Sequence, residues 1–269
     1  MNHINNTWKK HIPAFLAATL IILLWEISSG AGLISRLLFP SPSRIFLYFL
    51  ESLGSGEIFR ALGVTLIRLV TGFVAGAVPG LILGWRMSFS HRLRNFAEPF
   101  IAAFYPMPKI AIFPFIMFIF GIGESSKVVA VGVTAFFPIL INTMAGVQQI
   151  NPVYLHVAQN YGAGRWKTFT TVVFPASLPW ILAGARIALN TSFMVVIAVE
   201  LLAARSGLGV LIWFGWETLN TLKLYTALGA IALVGVLINL FFSWLFTKYL
   251  PWHQAFGWES EYPKKSNQA

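Results

Sequence analysis

Six long apolar runs, separated by short polar joints, leave this chain few ways to fold. They are Ile12 to Ser29, Leu62 to Trp85, Phe96 to Phe120, Val128 to Val147, Leu178 to Leu202 and Tyr225 to Tyr249. A membrane-spanning helix needs about 20 mostly apolar residues. Lipid offers no partners for backbone N–H and C=O groups, so a lone span must satisfy them internally, as a helix does. Hydrophobic residues make up 57% of the 269 and charged residues only 10%. An average soluble domain carries about 25% charged residues, so this chain lacks the polar surface to coat a globule. The expected fold is an all-α integral membrane protein with about six transmembrane helices. The third run carries Pro99, Pro106, Pro108 and Pro114, which predict a kinked or split segment.

Lys9 and Lys10 before the first run also describe a signal peptide. The run exceeds the about 7–15 residues of a signal h-region, so it is taken as a helix. The basic residues set the orientation. With both termini inside, the cytoplasmic segments hold ten of them: Lys9, Lys10, Arg86, Arg92, Arg94, Arg165, Lys167, Lys248, Lys264 and Lys265. The outer loops hold six: Arg36, Arg44, Arg60, Lys127, Arg205 and Lys223. The net charge of +10 is thus topological, and no nucleic-acid partner is expected.

Five stretches follow from this orientation. Residues 1–11 form a cytoplasmic N-terminus and 12–29 the first span. Residues 30–61 form an external loop, with an interfacial amphipathic helix over Arg44 to Leu53 closed by Gly54-Ser55-Gly56. Residues 62–249 form the core, and 250–269 a polar cytoplasmic tail.

Several residues stand out against the apolar background. Gly72, Gly76, Gly80 and Gly84 share one face of the second span and let a neighbouring helix approach closely. That face either packs statically or re-packs during a transport cycle. Arg68 and Arg186 fall within apolar stretches and Glu200 closes the fifth. Ionisable groups at that depth line a pathway or pair structurally, for instance Glu200 with Arg68. Lys109 sits among prolines in the broken third run, where freed backbone could line a water-filled path.

Pro152 and Pro175 bracket a region too polar to span, about residues 152–177. His156 to Trp166 reads as a short helix with a turn at Gly162-Ala163-Gly164, and Phe169, Val172 and Val173 form a second apolar strip. Small Ala158, Gly162 and Ala163 permit close contact, and Trp166 and Phe169 could anchor in a partner's groove. An interfacial loop with a snorkelling Arg165 and a belt tryptophan is the alternative.

This joint resembles the cytoplasmic EAA loop of ABC-importer permeases, E-A-A-x-x-x-G-x(9)-I-x-L-P. Its places are filled here by His156, Val157, Ala158, Gly162, Val172, Phe174 and Pro175. The second alanine, the glycine and the final proline match; His156 replaces the acid and Val157 the first alanine. From about Trp25 to Tyr249 the chain is similar to the sulfonate/nitrate/taurine branch of these permeases. The pieces that carry the likeness begin with Leu38-Phe39-Pro40-Ser41-Pro42, Thr65 to Phe73 and Pro106-Met107-Pro108-Lys109. Phe120 to Glu124, Phe137 to Thr143, Gly184 to Leu189, Glu200-Leu201-Leu202 and Ser206-Gly207-Leu208-Gly209 continue it.

The resemblance implies a type I ABC importer permease in a bacterial inner membrane. Two permease copies, expected as a homodimer, form the path. Two cytoplasmic ABC ATPase subunits bind ATP and magnesium, and an external solute-binding protein delivers the cargo. The coupling surface would then comprise His156, Ala158, Gly162, Ala163, Arg165, Trp166, Phe169 and Pro175, with one polar contact altered by the acid's loss at His156. The permease itself is expected to be no enzyme and to hold no cofactor or metal. It has no G-x-x-x-x-G-K-[ST] phosphate loop, no cysteine and no aspartate to hold magnesium. Relatives of this signature carry nitrate or organosulfonate anions, thiamine-pyrimidine precursors or riboflavin. A stand-alone secondary transporter or channel is the rival, but only Glu200, Glu26 and Glu98 could serve an ion relay. A membrane enzyme would need clustered ligands, and the five histidines are scattered outside the spans.

Overall fold

A computed structural model describes residues 4–250, with side chains from residue 12 onward. The tail and its lysines, and the side chains of Lys9 and Lys10, lie outside the described residues. Among the described residues every regular element is helical and there is no strand. In chain order the helices are α1 (Ile4–Gly30), α2 (Pro42–Gly54), α3 (Glu57–Phe89), α4 (His91–Phe104), α5 (Phe113–Phe120) and α6 (Glu124–Gln148). There follow α7 (Pro152–Asn160), α8 (Arg165–Thr168), a π-helical turn (Phe169–Val173), α9 (Phe174–Ala203), α10 (Leu208–Glu217) and α11 (Thr221–Tyr249).

Five of these segments are long and apolar enough to cross a membrane: 12–30 within α1, α3, α6, 165–203 leading into α9, and α11. The third apolar run breaks, as its prolines predict. It is divided between α4 and α5, with irregular backbone between them. Most helices begin a turn or so before the apolar runs do, and two differences bear on the argument. The second span starts at Glu57 rather than Leu62, because polar Glu57 and Arg60 can occupy a first helical turn that apolar counting excludes. The helix expected over His156 to Trp166 instead runs from Pro152 to Asn160. Proline is favoured at a first helical position, and the Asn151 side chain accepts the Val153 N–H at 3.0 Å as an N-cap.

The chain forms two compact units. One comprises residues up to Leu66 together with Glu200–Leu233. Within it, the Glu26 carboxylate accepts the Ser43 N–H at 2.9 Å and its hydroxyl at 2.7 Å, tying α1 to the start of α2. Trp25 and Tyr225 bring α1 against α11 with ring centroids 5.6 Å apart.

The other unit comprises Ile67–Val199 and the described residues from Val234 on. Its core is a seam between α3 and α6. A Cβ on Gly72 would stand 2.7 Å from the Val128 carbonyl oxygen. On Gly80 or Gly84 it would meet the Phe136 or Leu140 carbonyl oxygen at 2.8 Å, and on Gly76 it would fall on the Gly132 carbonyl. The four glycines therefore admit the α6 backbone itself. Close approach multiplies van der Waals contact where lipid supplies no hydrophobic drive. Ala77, Ala135, Ile139 and Ala188 continue the packing among α3, α6 and α9.

Candidate functional site

The segment from Asn151 to Ala176 is an elbow of two short helices feeding a span. α7 ends in a Schellman motif: the Ala163 N–H bonds to the Ala158 carbonyl and the Gly162 N–H to the Gln159 carbonyl, both at 2.9 Å. This turn holds Gly162 at φ 71°, a left-handed conformation that glycine adopts without strain. Gly164 then opens α8. The π-helical turn follows, in which the Phe174 N–H bonds to the Phe169 carbonyl, five residues back. Pro175 supplies a cause: it has no N–H for the Thr171 carbonyl, and in a regular α-helix its ring would clash there. The Thr171 hydroxyl in turn donates to the Lys167 carbonyl at 2.6 Å. The sequence placed Phe169, Val172 and Val173 in a separate strip; the structure makes them the continuous first turns of the 165–203 span.

The elbow leaves apolar surface uncovered. Trp166 is 76% exposed and Tyr161 88%. His156, Gly162 and Arg165 are exposed, while Ala158, Ala163, Phe169 and Pro175 are half-buried. A groove of about 710 Å³ lies against Tyr154, Val157, Ala158, Gly162, Val172 and Pro175. A second, of about 660 Å³, lies against Leu155, Gln159, Ala163, Arg165 and Phe169. Phe169 also has a structural role. Its ring meets Trp85 of α3 edge-on at 5.2 Å and stacks with Trp166 at 5.9 Å. Trp85 and Leu155 belong to this packing and were not singled out from sequence; Trp85 closes an apolar run, where an interface-belt tryptophan is the ordinary expectation.

The charges in or near the apolar stretches have partners within the chain. In the second unit, Arg68 is 2% exposed. It grips Glu124 at the start of α6, Nε to Oε2 at 2.5 Å and Nη2 to Oε1 at 2.7 Å. Lys127 meets the same carboxylate at 3.1 Å. Arg186 donates to Asn239 Oδ1 at 3.1 Å, joining α9 to α11. Lys109 spends its ammonium on three carbonyls, those of Phe104, Tyr105 and Met107, at 2.7–2.9 Å.

In the first unit, buried Glu200 accepts the Thr65 hydroxyl at 2.9 Å and the Gly209 N–H at 3.0 Å. Thr65 Oγ1 accepts the Leu208 N–H at 2.9 Å. Gly207 holds φ 126°, and a Cβ there would run into the Glu200 carboxylate. The Ser-Gly-Leu-Gly motif is thereby explained: it is the loop that lets backbone N–H groups reach a buried acid.

A helical membrane protein with an exposed elbow feeding one span and charges locked into its packing has the build of a transport permease. The family described as "Binding-protein-dependent transport system inner membrane component" matches residues 70–252, and the chain belongs to it. The putative aliphatic sulfonates transport permease protein SsuC of Bacillus subtilis is 31% identical over 249 residues, covering 93% of this chain and 89% of its own length. The taurine transport system permease protein TauC of Escherichia coli is 30% identical, covering 88% and 87%. The nitrate import permease protein NrtB of Synechocystis is 28% identical, covering 91% of each. Among solved structures, the inward-facing MetNI methionine ABC transporter superposes with a TM-score of 0.63 at 20% identity, covering 72% of this chain and 96% of its own. That likeness supports the type I importer permease fold.

Proposed function

We propose that this chain forms the translocation path of an ATP-driven importer for a small oxyanion of the sulfonate, taurine or nitrate kind. The observation that carries the coupling role is the elbow. The ends of α7 are capped within the elbow, yet its apolar side chains and two grooves stay open, the surface expected for docking of a soluble partner by the helix-in-groove mode. On this proposal the elbow faces the cytoplasm and both termini lie inside. ATPase subunits bind and hydrolyse ATP there, a solute-binding protein delivers cargo outside, and a second permease copy completes the path. Closure of the ATPases would push on α7 and α8, and the unbroken run from Arg165 to Ala203 would carry the movement into the membrane. Such a switch needs only a differential affinity of the ATPases for two permease states.

The test is reconstitution of the permease in liposomes with the ATPase and binding protein encoded beside it. The expected result is uptake of labelled taurine, methanesulfonate or nitrate that requires both partners and ATP. Uptake by the permease alone, driven by an ion gradient, would overturn the proposal in favour of a stand-alone carrier.

A further inference from the structure

In the first unit, a cavity of about 820 Å³ is bordered by Glu57, Arg60, Arg205, Ser206, Phe214 and Lys223. Its size falls in the range of small-molecule sites. The three cations come from separate elements: the first turn of α3, the α9–α10 connection and the first turn of α11. Glu57 is the single acid on the lining, and its Oε1 is engaged by Lys223 Nζ at 2.6 Å. Among the described residues, neither Arg60 nor Arg205 takes part in an ion pair. Two arginines therefore line one concave surface outside any ion pair, Arg60 donating only to the Ser55 carbonyl at 3.3 Å. Like charges gathered in a recess repel each other and focus a field that attracts an anion. Guanidinium is a planar fork suited to holding two oxygens of one ligand. One wall is fixed, because Gly207 lines the cavity and the next two residues, Leu208 and Gly209, donate their N–H groups to Thr65 and Glu200.

We infer that this cavity is a binding site for the oxyanion head group of the transported solute, with Arg60 and Arg205 as its ligands and Glu57 as a brake that withholds Lys223. The inference rests on the importer proposal, which supplies the solute, and on the charge bias, which puts these residues on the outer side. A lipid phosphate offers the same chemistry, so the experiment separates the two sources. The purified permease–ATPase complex is placed in phosphatidylcholine nanodiscs and titrated with radiolabelled methanesulfonate. Saturable binding is expected, weakened about tenfold or more in the R60Q/R205Q variant, a loss of at least about 1.4 kcal/mol. Glu57→Gln should tighten binding about threefold, a gain that misfolding cannot produce. Absence of saturable binding, or indifference to R60Q/R205Q, overturns the site. Binding abolished by replacing phosphatidylcholine with phosphatidylglycerol assigns the cavity to lipid and likewise overturns the solute role. Failure of the ATPase to co-purify would count against the importer proposal instead, and binding to the permease alone would still decide the site.

Discussion

The glycine seam and the elbow both belong to the second unit, and they use small residues for opposite ends. Along α3, glycines remove side chains so that α6 can press its backbone into the space, and nothing is left open. Around Gly162 and Gly164, no atom stands within 4 Å of where a Cβ would be, and the small residues border open grooves. The same residue type builds a closed joint in one place and a vacant seat in the other. Substitutions in the seam should register as stability, and substitutions in the elbow as lost coupling.

The largest expected effect is in the elbow. Gly162→Glu adds bulk and charge to the groove at a left-handed position and should abolish ATP-driven uptake while the protein still inserts in the membrane. Uptake at the wild-type rate by that variant would remove the coupling assignment. In the seam, Gly76→Ala forces a methyl group into the Gly132 carbonyl. Overpacking of this kind costs about 3 kcal/mol, which thermal unfolding in detergent should show as a large drop in Tm. A Tm unchanged within error would mean that the two helices can separate freely. Trp166→Ala removes an exposed ring, so stability should move by no more than about 0.5 kcal/mol, while uptake falls about tenfold and less ATPase co-purifies. The smallest effect serves as the control. Gly229, in α11, has nothing within 4 Å of where a methyl group would stand, and Gly229→Ala should stabilise by about 0.5–1 kcal/mol through helix propensity. A destabilisation there instead would mean that an unseen neighbour, such as a second permease copy, packs against it.

Much of the framework was visible in the amino acids. The apolar runs declared the spans, four prolines declared the broken third run, and glycines spaced by four declared a close-packed face. The order of the motifs declared the family. What stayed hidden depends on residues far apart in the chain. Arg68 and Glu200 were marked as costly charges, but nothing local reveals that Arg68 meets Glu124 across 56 positions or that Glu200 meets Thr65 across 135. The seam was legible while its partner, α6, was not, because one face of a helix does not name what covers it. The π-helical turn was missed for a different reason. Nothing within Phe169 to Val173 marks a widened turn, and the extra residue per turn arises from the proline that follows them.

The Lys109 ammonium has a consequence for leakage. A break in an apolar segment frees carbonyl groups, and the ordinary way to satisfy them is water. A file of ordered water through a membrane protein conducts protons. By donating to three carbonyls from one side chain, the chain leaves those acceptors no need of water. Lys109 thus ties the irregular backbone between α4 and α5 to itself and satisfies from within the chain acceptors that lipid could not.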